Sequence, residues 1–327
     1  MYDRANRKIE YLRISITDRC NLRCVYCMPE EGVPALGHGE VLSYEEVLRV
    51  VRVAAAGGIK KIRLTGGEPL VRKGVAGLIN QIAAVPGIED LSLTTNGALL
   101  GAMAEELKEA GLTRINVSLD SLDPARFREL TRGGDLRTVL DGIEKAQALG
   151  FSPIKINVVS IRGINEDEAA GFARLTLDKP WHVRFIEFMP IGARAMWDET
   201  RVVPTSETMG KITAAFGELK PVKGSIKDGP AKMYALPGAA GLLGFISPLT
   251  NHFCSYCNRL RLTADGKLRP CLFSENEIDL KTPMRTGCED AELARLIGVA
   301  IGEKPDGHRM ADGIKKKYSR TMSKIGG

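Results

Sequence analysis

"YLRISIT", residues 11–17, alternates apolar side chains with polar ones. Leu12, Ile14 and Ile16 share one face of an extended chain, and Arg13, Ser15 and Thr17 share the other. "KKIRLT" (60–65) repeats the pattern, setting Ile62 and Leu64 against Lys61, Arg63 and Thr65, and "IKINVV" (154–159) repeats it with Lys155 and Asn157. "DLSLTT" (90–95), "RINVSL" (114–119) and "HVRFIEF" (182–188) complete a set of strands with helical patterns between them. Such a succession predicts parallel strands joined by right-handed crossovers. Parallel strands covered on both faces read as unbroken apolar runs. These do not, so one face packs on helices while the other looks into a polar space. A complete eight-stranded barrel fills its interior with apolar side chains. The fold class expected is therefore α/β, a partial (β/α)6, TIM-like barrel of parallel strands, left open around a wet, basic lumen.

Helix starts are marked between the strands. Ser43 with Glu46 forms a capping-box pattern ahead of "VLRVVRVAAA", which Gly57-Gly58 stops. Asp123-Pro124 reads as an N-cap with a first-turn proline, and Asn165, followed by acidic residues, opens another helix. After about residue 200 the character changes: a helix over 205–216, a Gly-rich hairpin-like region over 222–245, then a second group of cysteines. The division expected is a barrel over 1–200 and a C-terminal α+β extension over 201–327, ending in a Gly-Gly tail.

The chain has 327 residues, 44% of them apolar, so a sizeable core is available. Its start is charged and lacks the apolar core of a signal peptide, and no apolar run is long enough to span a membrane. A cytoplasmic location is expected, where disulfides are rare, so the seven cysteines read better as metal ligands or buried thiols. Net charge is +6. A nucleic-acid-binding protein would place its basic residues on an outer face with interleaved aromatics. Here aromatics are only 6% and the ordered basic residues point inward, which disfavours that class.

"CNLRCVYC", residues 20–27, gives the spacing C-x3-C-x2-C and no fourth thiol. A structural zinc site wants four protein ligands, and His38 stands eleven residues on. A [4Fe–4S] cubane held by three thiolates instead keeps one iron open for a substrate or cofactor. The second group, Cys254, Cys257 and Cys271, is again one ligand short, and Cys288 could complete a four-cysteine zinc site. Spacing alone leaves both choices open.

The C-x3-C-x2-C motif with Tyr26 before its last cysteine resembles the radical S-adenosylmethionine (SAM) enzymes, and "GGEP" at 66–69 resembles their second motif. "DRCNLRCVYCMP", "LTGGEPL", "LTTNG", "RINVSLDS", "IKINVV", "RFIEFMP", "CSYCNRLRLTADGKLRPCL" and the terminal "IGG" together resemble the GTP 3′,8-cyclase (MoaA) family of molybdenum cofactor biosynthesis. The resemblance runs from about Arg13 to Gly327. It departs near the N-terminus, where "DRANRK" replaces a D-x-F-G-R-type lead and leaves the role of residues 3–8 open.

The resemblance implies two [4Fe–4S] clusters, one on Cys20, Cys24 and Cys27 and one on Cys254, Cys257 and Cys271. SAM chelates the open iron of the first, near Tyr26, Gly67, Ser118 and Met189. Gly66 and Gly67 would let the backbone come close to the SAM ammonium. A 5′-deoxyadenosyl radical would then take the ribose C3′ hydrogen of GTP, giving 3′,8-cyclo-7,8-dihydro-GTP in the first step of molybdenum cofactor biosynthesis, with the guanine on the second open iron. No G-x4-G-K-[ST] loop exists to cradle a triphosphate, so arginine and lysine must. The matching positions are Arg13, Arg63, Lys155, Arg184, Arg259 and Arg261, with the Thr94 hydroxyl; Lys61 shares the Arg63 strand face. Arg184 shares no obvious polar face with its neighbours. Arg259, Arg261, Gly326 and Gly327 are expected to serve catalysis, the two glycines by threading into the lumen beside the arginines. The partners implied are GTP, an electron donor of the flavodoxin or ferredoxin type and a downstream cyclic pyranopterin monophosphate synthase. Neither nucleic acid nor membrane is among them, and a homodimer is compatible. A radical SAM peptide-modifying enzyme is the competing enzyme reading, but such enzymes typically carry more C-terminal cysteines.

Overall fold

The computed structural model describes residues 1–191, 197–224, 229–308 and 320–326. Six strands follow the alternating segments closely: β1 (Tyr11–Ser15), β2 (Lys61–Thr65), β3 (Asp90–Thr95), β4 (Arg114–Ser118), β5 (Lys155–Ser160) and β6 (His182–Glu187). Helices α1 (Tyr44–Ala56), α2 (Val75–Ala83), α3 (Leu100–Glu109), α4 (Pro124–Thr131), α5 (Leu136–Ala148) and α6 (Ala169–Asp178) lie between them. Helix α7 (Thr205–Phe216) precedes β7 (Lys220–Val222), β8 (Lys232–Ala235), β9 (Leu242–Ile246), β10 (Arg259–Leu262), β11 (Lys267–Arg269) and β12 (Ile278–Asp279). Helices α8 (Lys281–Arg285), α9 (Asp290–Gly302) and α10 (Met322–Ile325) follow.

All twelve strands form one sheet in the order β12-β11-β10-β1-β2-β3-β4-β5-β6-β9-β8-β7. From β10 through β1 to β6 and on to β9 every neighbouring pair is parallel. The six expected strands are thus extended at both edges by strands of the C-terminal region, β10 beside β1 and β9 beside β6. The sequence reading gave these segments to a separate extension because each is short and sits in Gly- and Cys-rich surroundings. The order begins at β12 and ends at β7, so among the described residues no strand pairing closes the barrel.

The two strand faces divide as the alternation requires. Leu12, Ile14, Ile62, Leu64, Leu93, Ile115, Val117, Ile156 and Val183 are buried under the helices. Arg13, Arg63, Thr94, Asn157 and Arg184 line the interior. Helix α1 carries the full capping box: the Ser43 hydroxyl accepts from the Glu46 amide while the Glu46 carboxylate accepts from the Ser43 amide. Asp123 caps α4 with Pro124 in its first turn. Asn165 behaves differently. Its side chain does not cap the following turn but donates to the Asp120 and Val159 carbonyls at 2.7 and 2.9 Å, tying the ends of β4 and β5 together.

Residues 1–9 form a small hairpin, with the Ile9 amide donating to the Met1 carbonyl at 2.9 Å. Asn6, at the glycine position of the D-x-F-G-R-type lead, sits at φ 58°. Asn is among the few side chains that visit this left-handed region readily, which accounts for the substitution. Among the described residues no helix is long and apolar enough to cross a membrane.

Candidate active site

Both cysteine triplets, Cys20, Cys24 and Cys27 on one side and Cys254, Cys257 and Cys271 on the other, line a single cavity in the barrel interior. The first triplet occupies the loop leaving β1. The Cys27 amide donates to the Cys24 carbonyl at 2.9 Å, and the Leu22 amide and Asn96 side chain donate to Cys20 Sγ at 3.4 and 3.7 Å. Asn96 belongs to "LTTNG", one of the segments that carry the family resemblance. Burial raises all three thiols, the Cys27 thiol up to about 12, with neighbouring Cys27 adding to the rise at Cys24 and Cys20 to that at Cys27.

The second triplet is brought together by a hairpin. Cys254 and Cys257 precede β10, Cys271 follows β11, and the antiparallel register Arg261↔Arg269 carries Cys271 back level with Arg259. Here the surroundings are cationic. Burial would raise the Cys257 thiol, but Arg259 and Lys304 bring it down to about 6. Cys288 packs against the hydrophobic core and does not line the cavity, so it is not a fourth ligand. His38 is exposed and likewise absent from the lining.

Among the described residues no three His, Cys, Asp or Glu side chains are placed to hold a single metal ion. Tetrahedral zinc with Zn–S bonds of about 2.3 Å needs its sulfurs within roughly 4 Å of one another. A cubane binds each thiolate to a different iron, so its sulfurs stand farther apart. Two triplets too open for one ion, each short of a fourth ligand, fit cubanes.

Between the triplets runs a row of cations. Register places Arg261, Arg13 and Arg63 abreast on β10, β1 and β2, with strands about 4.8 Å apart. Arg63 and Arg261 are buried and Arg13 is half-buried. Burial and neighbouring Arg261 hold the Arg13 guanidinium well below its ordinary range, and burial with Arg259 brings Arg261 down to about 10. Crowding buried like charges is costly unless an anion joins them. One step along the same strands, Arg259 lies level with Tyr11 and Lys61. The Arg259 guanidinium bonds to Cys257 and covers the Phe253 ring at 4.9 Å.

Arg184 joins this interior face. Register pairs it with Asn157, and its guanidinium donates to Asn157 Oδ1 at 2.6 Å and to Asn116 Oδ1 at 2.8 Å. Its polar neighbours stand on the adjacent strands rather than on its own, which is why β6 alone concealed them. Two lysines go elsewhere. Lys155 is fully buried in register between Asn116 and His182 and does not line the cavity. Lys61 Nζ lies 3.1 Å from the Asp90 carboxylate, outside the lining as well.

Tyr26, Gly67, Thr94, Ser118 and Met189 all line the cavity. The Tyr26 hydroxyl donates to Asp120 Oδ2 at 2.6 Å, and Asp120 Oδ1 accepts from the Val159 amide at 2.8 Å. Burial lifts the Asp120 carboxyl to about 6. The Thr94 hydroxyl is buried without a hydrogen-bond partner among the described residues, as expected of a group that waits for a ligand. Gly67 has a reason to be glycine beyond any ligand: an added Cβ would lie 2.3 Å from the Arg19 carbonyl oxygen. The Gly67 amide donates to Thr17 O at 2.7 Å and the Glu68 amide to Arg19 O at 2.8 Å. The "GGEP" turn therefore supports the backbone that launches the first triplet.

The tail enters the same interior. Ser323 and Ile325 are buried, the Ser323 amide bonds to Cys27 Sγ, and Gly326 lies against Ser15 and Thr65. Gly327 lies outside the described residues.

A family model of the radical SAM superfamily matches residues 14–176, and a second, described as Molybdenum Cofactor Synthesis C, matches residues 181–310. Relatives named GTP 3′,8-cyclase are 55% identical in Pelotomaculum thermopropionicum and 53% identical in Moorella thermoacetica, each match covering 100% of both chains. The chain belongs to the GTP 3′,8-cyclase family. In three dimensions it is similar to SuiB of Streptococcus suis bound to the precursor peptide SuiA, with a TM-score of 0.65 and 14% identity over 95% of this chain and 67% of that one. SuiB bound to S-adenosylmethionine gives a TM-score of 0.59 and 13% identity over 83% of this chain and 61% of the other. At such identity the likeness concerns the fold alone. The first family model ends within α6 and the second begins one residue before β6, so the strands of the continuous sheet are divided between them and both matched regions build the one cavity.

Proposed function

We propose that the chain is a radical SAM GTP 3′,8-cyclase acting in the first step of molybdenum cofactor biosynthesis. The observation that carries this reading is the single cavity with a cysteine triplet at each side and buried arginines between. When bound, one cluster with SAM supplies a 5′-deoxyadenosyl radical, and the other supplies an open iron for the guanine of GTP.

The chain's own residues do the rest. Cys20, Cys24 and Cys27 hold the first cluster, and Asn96 and the Ser323 amide direct hydrogen bonds at its thiolates. Tyr26, Gly67, Ser118 and Met189 form the wall for SAM, with Tyr26 held in place by Asp120. Cys254, Cys257 and Cys271 hold the second cluster. Arg13, Arg63 and Arg261 receive the triphosphate, whose charge relieves their crowding. Arg184, fixed by Asn116 and Asn157, and the partnerless Thr94 hydroxyl extend that surface. Arg259 bridges the cluster side and the phosphate side. Lys155, buried in register between Asn116 and His182, is the further cation proposed for that surface. Holding both partners in one cavity would set the ribose C3′–H beside the adenosyl carbon, and that positioning is the protein's chief contribution.

Residues 1–200 and 201–327 remain the functional division proposed, each supplying one triplet. A flavodoxin- or ferredoxin-type donor reduces the clusters, and a cyclic pyranopterin monophosphate synthase consumes the product. Oxygen-sensitive clusters suit the reducing cytoplasm. The homodimer is an arrangement these contacts neither require nor oppose. The test is anaerobic iron and sulfide analysis of the purified chain: about eight irons are expected for two cubanes. Stoichiometric zinc without iron would overturn the reading.

A further inference from the structure

Residues 3–7 and 304–306 are far apart in sequence, yet they meet behind the second cysteine triplet. Arg7 and Asp3 form an ion pair at 2.6 Å, with side chains 5% and 0% exposed. The Arg7 guanidinium offers its remaining N–H groups to backbone: one nitrogen to the Cys254 carbonyl at 2.7 Å and the Asp306 carbonyl at 3.2 Å, the other to the Pro305 carbonyl at 2.8 Å. The Cys254 carbonyl also accepts from the Cys257 amide at 3.2 Å, so Arg7 grips the turn that presents both cysteines. Lys304, 4% exposed, donates from Nζ to the Arg259 and Pro270 carbonyls, both at 2.8 Å. Arg259 stands two residues after Cys257, and Pro270 immediately precedes Cys271.

Each of the three cysteines thus has, at its own position or within two residues, a carbonyl held by a buried cation. A buried ion pair is poor evidence for stability in itself, since desolvation offsets most of the attraction, while a fixed geometry is what such pairs are best suited to provide. The structure assigns Arg7 and Lys304 as a two-cation clamp, with Asp3 as counter-charge, that sets the spacing of Cys254, Cys257 and Cys271 for the second cluster and so for the guanine. This inference rests on the reading of that triplet as a cluster site. It also gives the N-terminal hairpin a function: Asn6 at φ 58° turns the chain so that Arg7 lies over Asp3. Arg7 and Lys304 are positioning residues; Arg7 stands outside the cavity lining, and Lys304, which belongs to it, directs its ammonium to the two carbonyls.

The test uses the anaerobically purified full chain as wild type, Arg7→Ala, Arg7→Lys and Lys304→Met. Iron per chain, reductive SAM cleavage, melting temperature and the electron paramagnetic resonance spectrum with and without GTP are measured for each. Wild type should hold about eight irons and show a GTP-induced change in the spectrum. Arg7→Ala and Lys304→Met should fall toward about four irons and lose that change, with SAM cleavage kept within about two-fold. Lysine can supply the charge of Arg7 but not its planar fork, so Arg7→Lys should recover iron only in part. Arg7→Ala with about eight irons and an unchanged GTP response would overturn the clamp alone. Loss of both clusters together with a collapse of the melting temperature in every variant would also overturn it, reducing these residues to general fold support. A wild type with only about four irons would bring down the underlying reading of the second triplet, and the clamp with it.

Discussion

The Thr65 hydroxyl donates to the carbonyl oxygen of Gly326 at 3.1 Å, joining the end of the second strand to the end of the chain across the barrel interior. Gly326 takes φ 77°, and a Cβ there would lie 2.9 Å from Thr65 Oγ1 and 3.0 Å from Ser15 Cβ. Gly326→Val should therefore expel the tail, at an overpacking cost of about 1–3 kcal/mol. Cluster content and SAM binding should stay near wild type while cyclisation falls at least ten-fold, as measured by product formation per 5′-deoxyadenosine. Full coupling in the variant would return the tail to an inert role.

Arg320 anchors that tail. Its guanidinium donates to both Asp265 oxygens at 3.0 and 2.8 Å and to Glu277 at 2.7 Å. Burial would raise the Asp265 carboxyl, but Arg320 and the Thr263 hydroxyl hold it below its ordinary value of 3.8. A lowered folded value means the anchor contributes fully above pH 4 and is lost only as pH falls further. Cyclisation should show no dependence on this pair across neutral pH, whereas Asp265→Asn should reduce cyclisation several-fold at every pH. A pH-dependent defect confined to neutral solution would contradict the assignment.

Gly67→Ala pushes a methyl group into the Arg19 carbonyl, a backbone contact that cannot rotate away. The loop of the first triplet must shift, so iron should drop by about half and 5′-deoxyadenosine production should vanish. An alanine variant that still cleaves SAM at the wild-type rate would mean the "GGEP" contact is adaptable.

Arg261→Ala removes one cation from the row with Arg13 and Arg63. The loss of a charge at a buried anion site costs on the order of 2–5 kcal/mol, so GTP binding should weaken at least thirty-fold. Guanosine, lacking phosphates, should bind the variant and the wild type equally. Equal weakening for both ligands would shift the role of Arg261 from phosphate to base.

Much of the fold lay open in the sequence because strand alternation is local. Six strands were legible to within a residue or so at each end, and Ser43 and Asp123 announced their helices. Strands β9 and β10 escaped because their partners are β6 and β1, far away in sequence, and their own few residues carry no strong period. The cysteines were legible by spacing, and Arg13 and Arg63 by the polar faces of their strands, whereas Arg261, on the unread β10, was named only through the family resemblance. Arg184 was obscured since its polar partners sit on neighbouring strands. Lys155 was legible only in part: alternation told which face it occupies but not how deep on that face it lies. Arg7, Lys304 and Asp120 gave no local signal at all, because each acts through contacts that only the folded chain brings about.

The account's central claim is that a radical made at Cys20, Cys24 and Cys27 acts on a nucleotide held at Cys254, Cys257 and Cys271 within one cavity. The most direct measurement is a single anaerobic turnover with GTP carrying deuterium at ribose C3′, followed by mass analysis of the 5′-deoxyadenosine formed. Wild type should transfer one deuterium to 5′-deoxyadenosine, and Cys257→Ala should still cleave SAM but yield unlabelled 5′-deoxyadenosine. Unlabelled 5′-deoxyadenosine from the wild type, alongside full product formation, would contradict the claim.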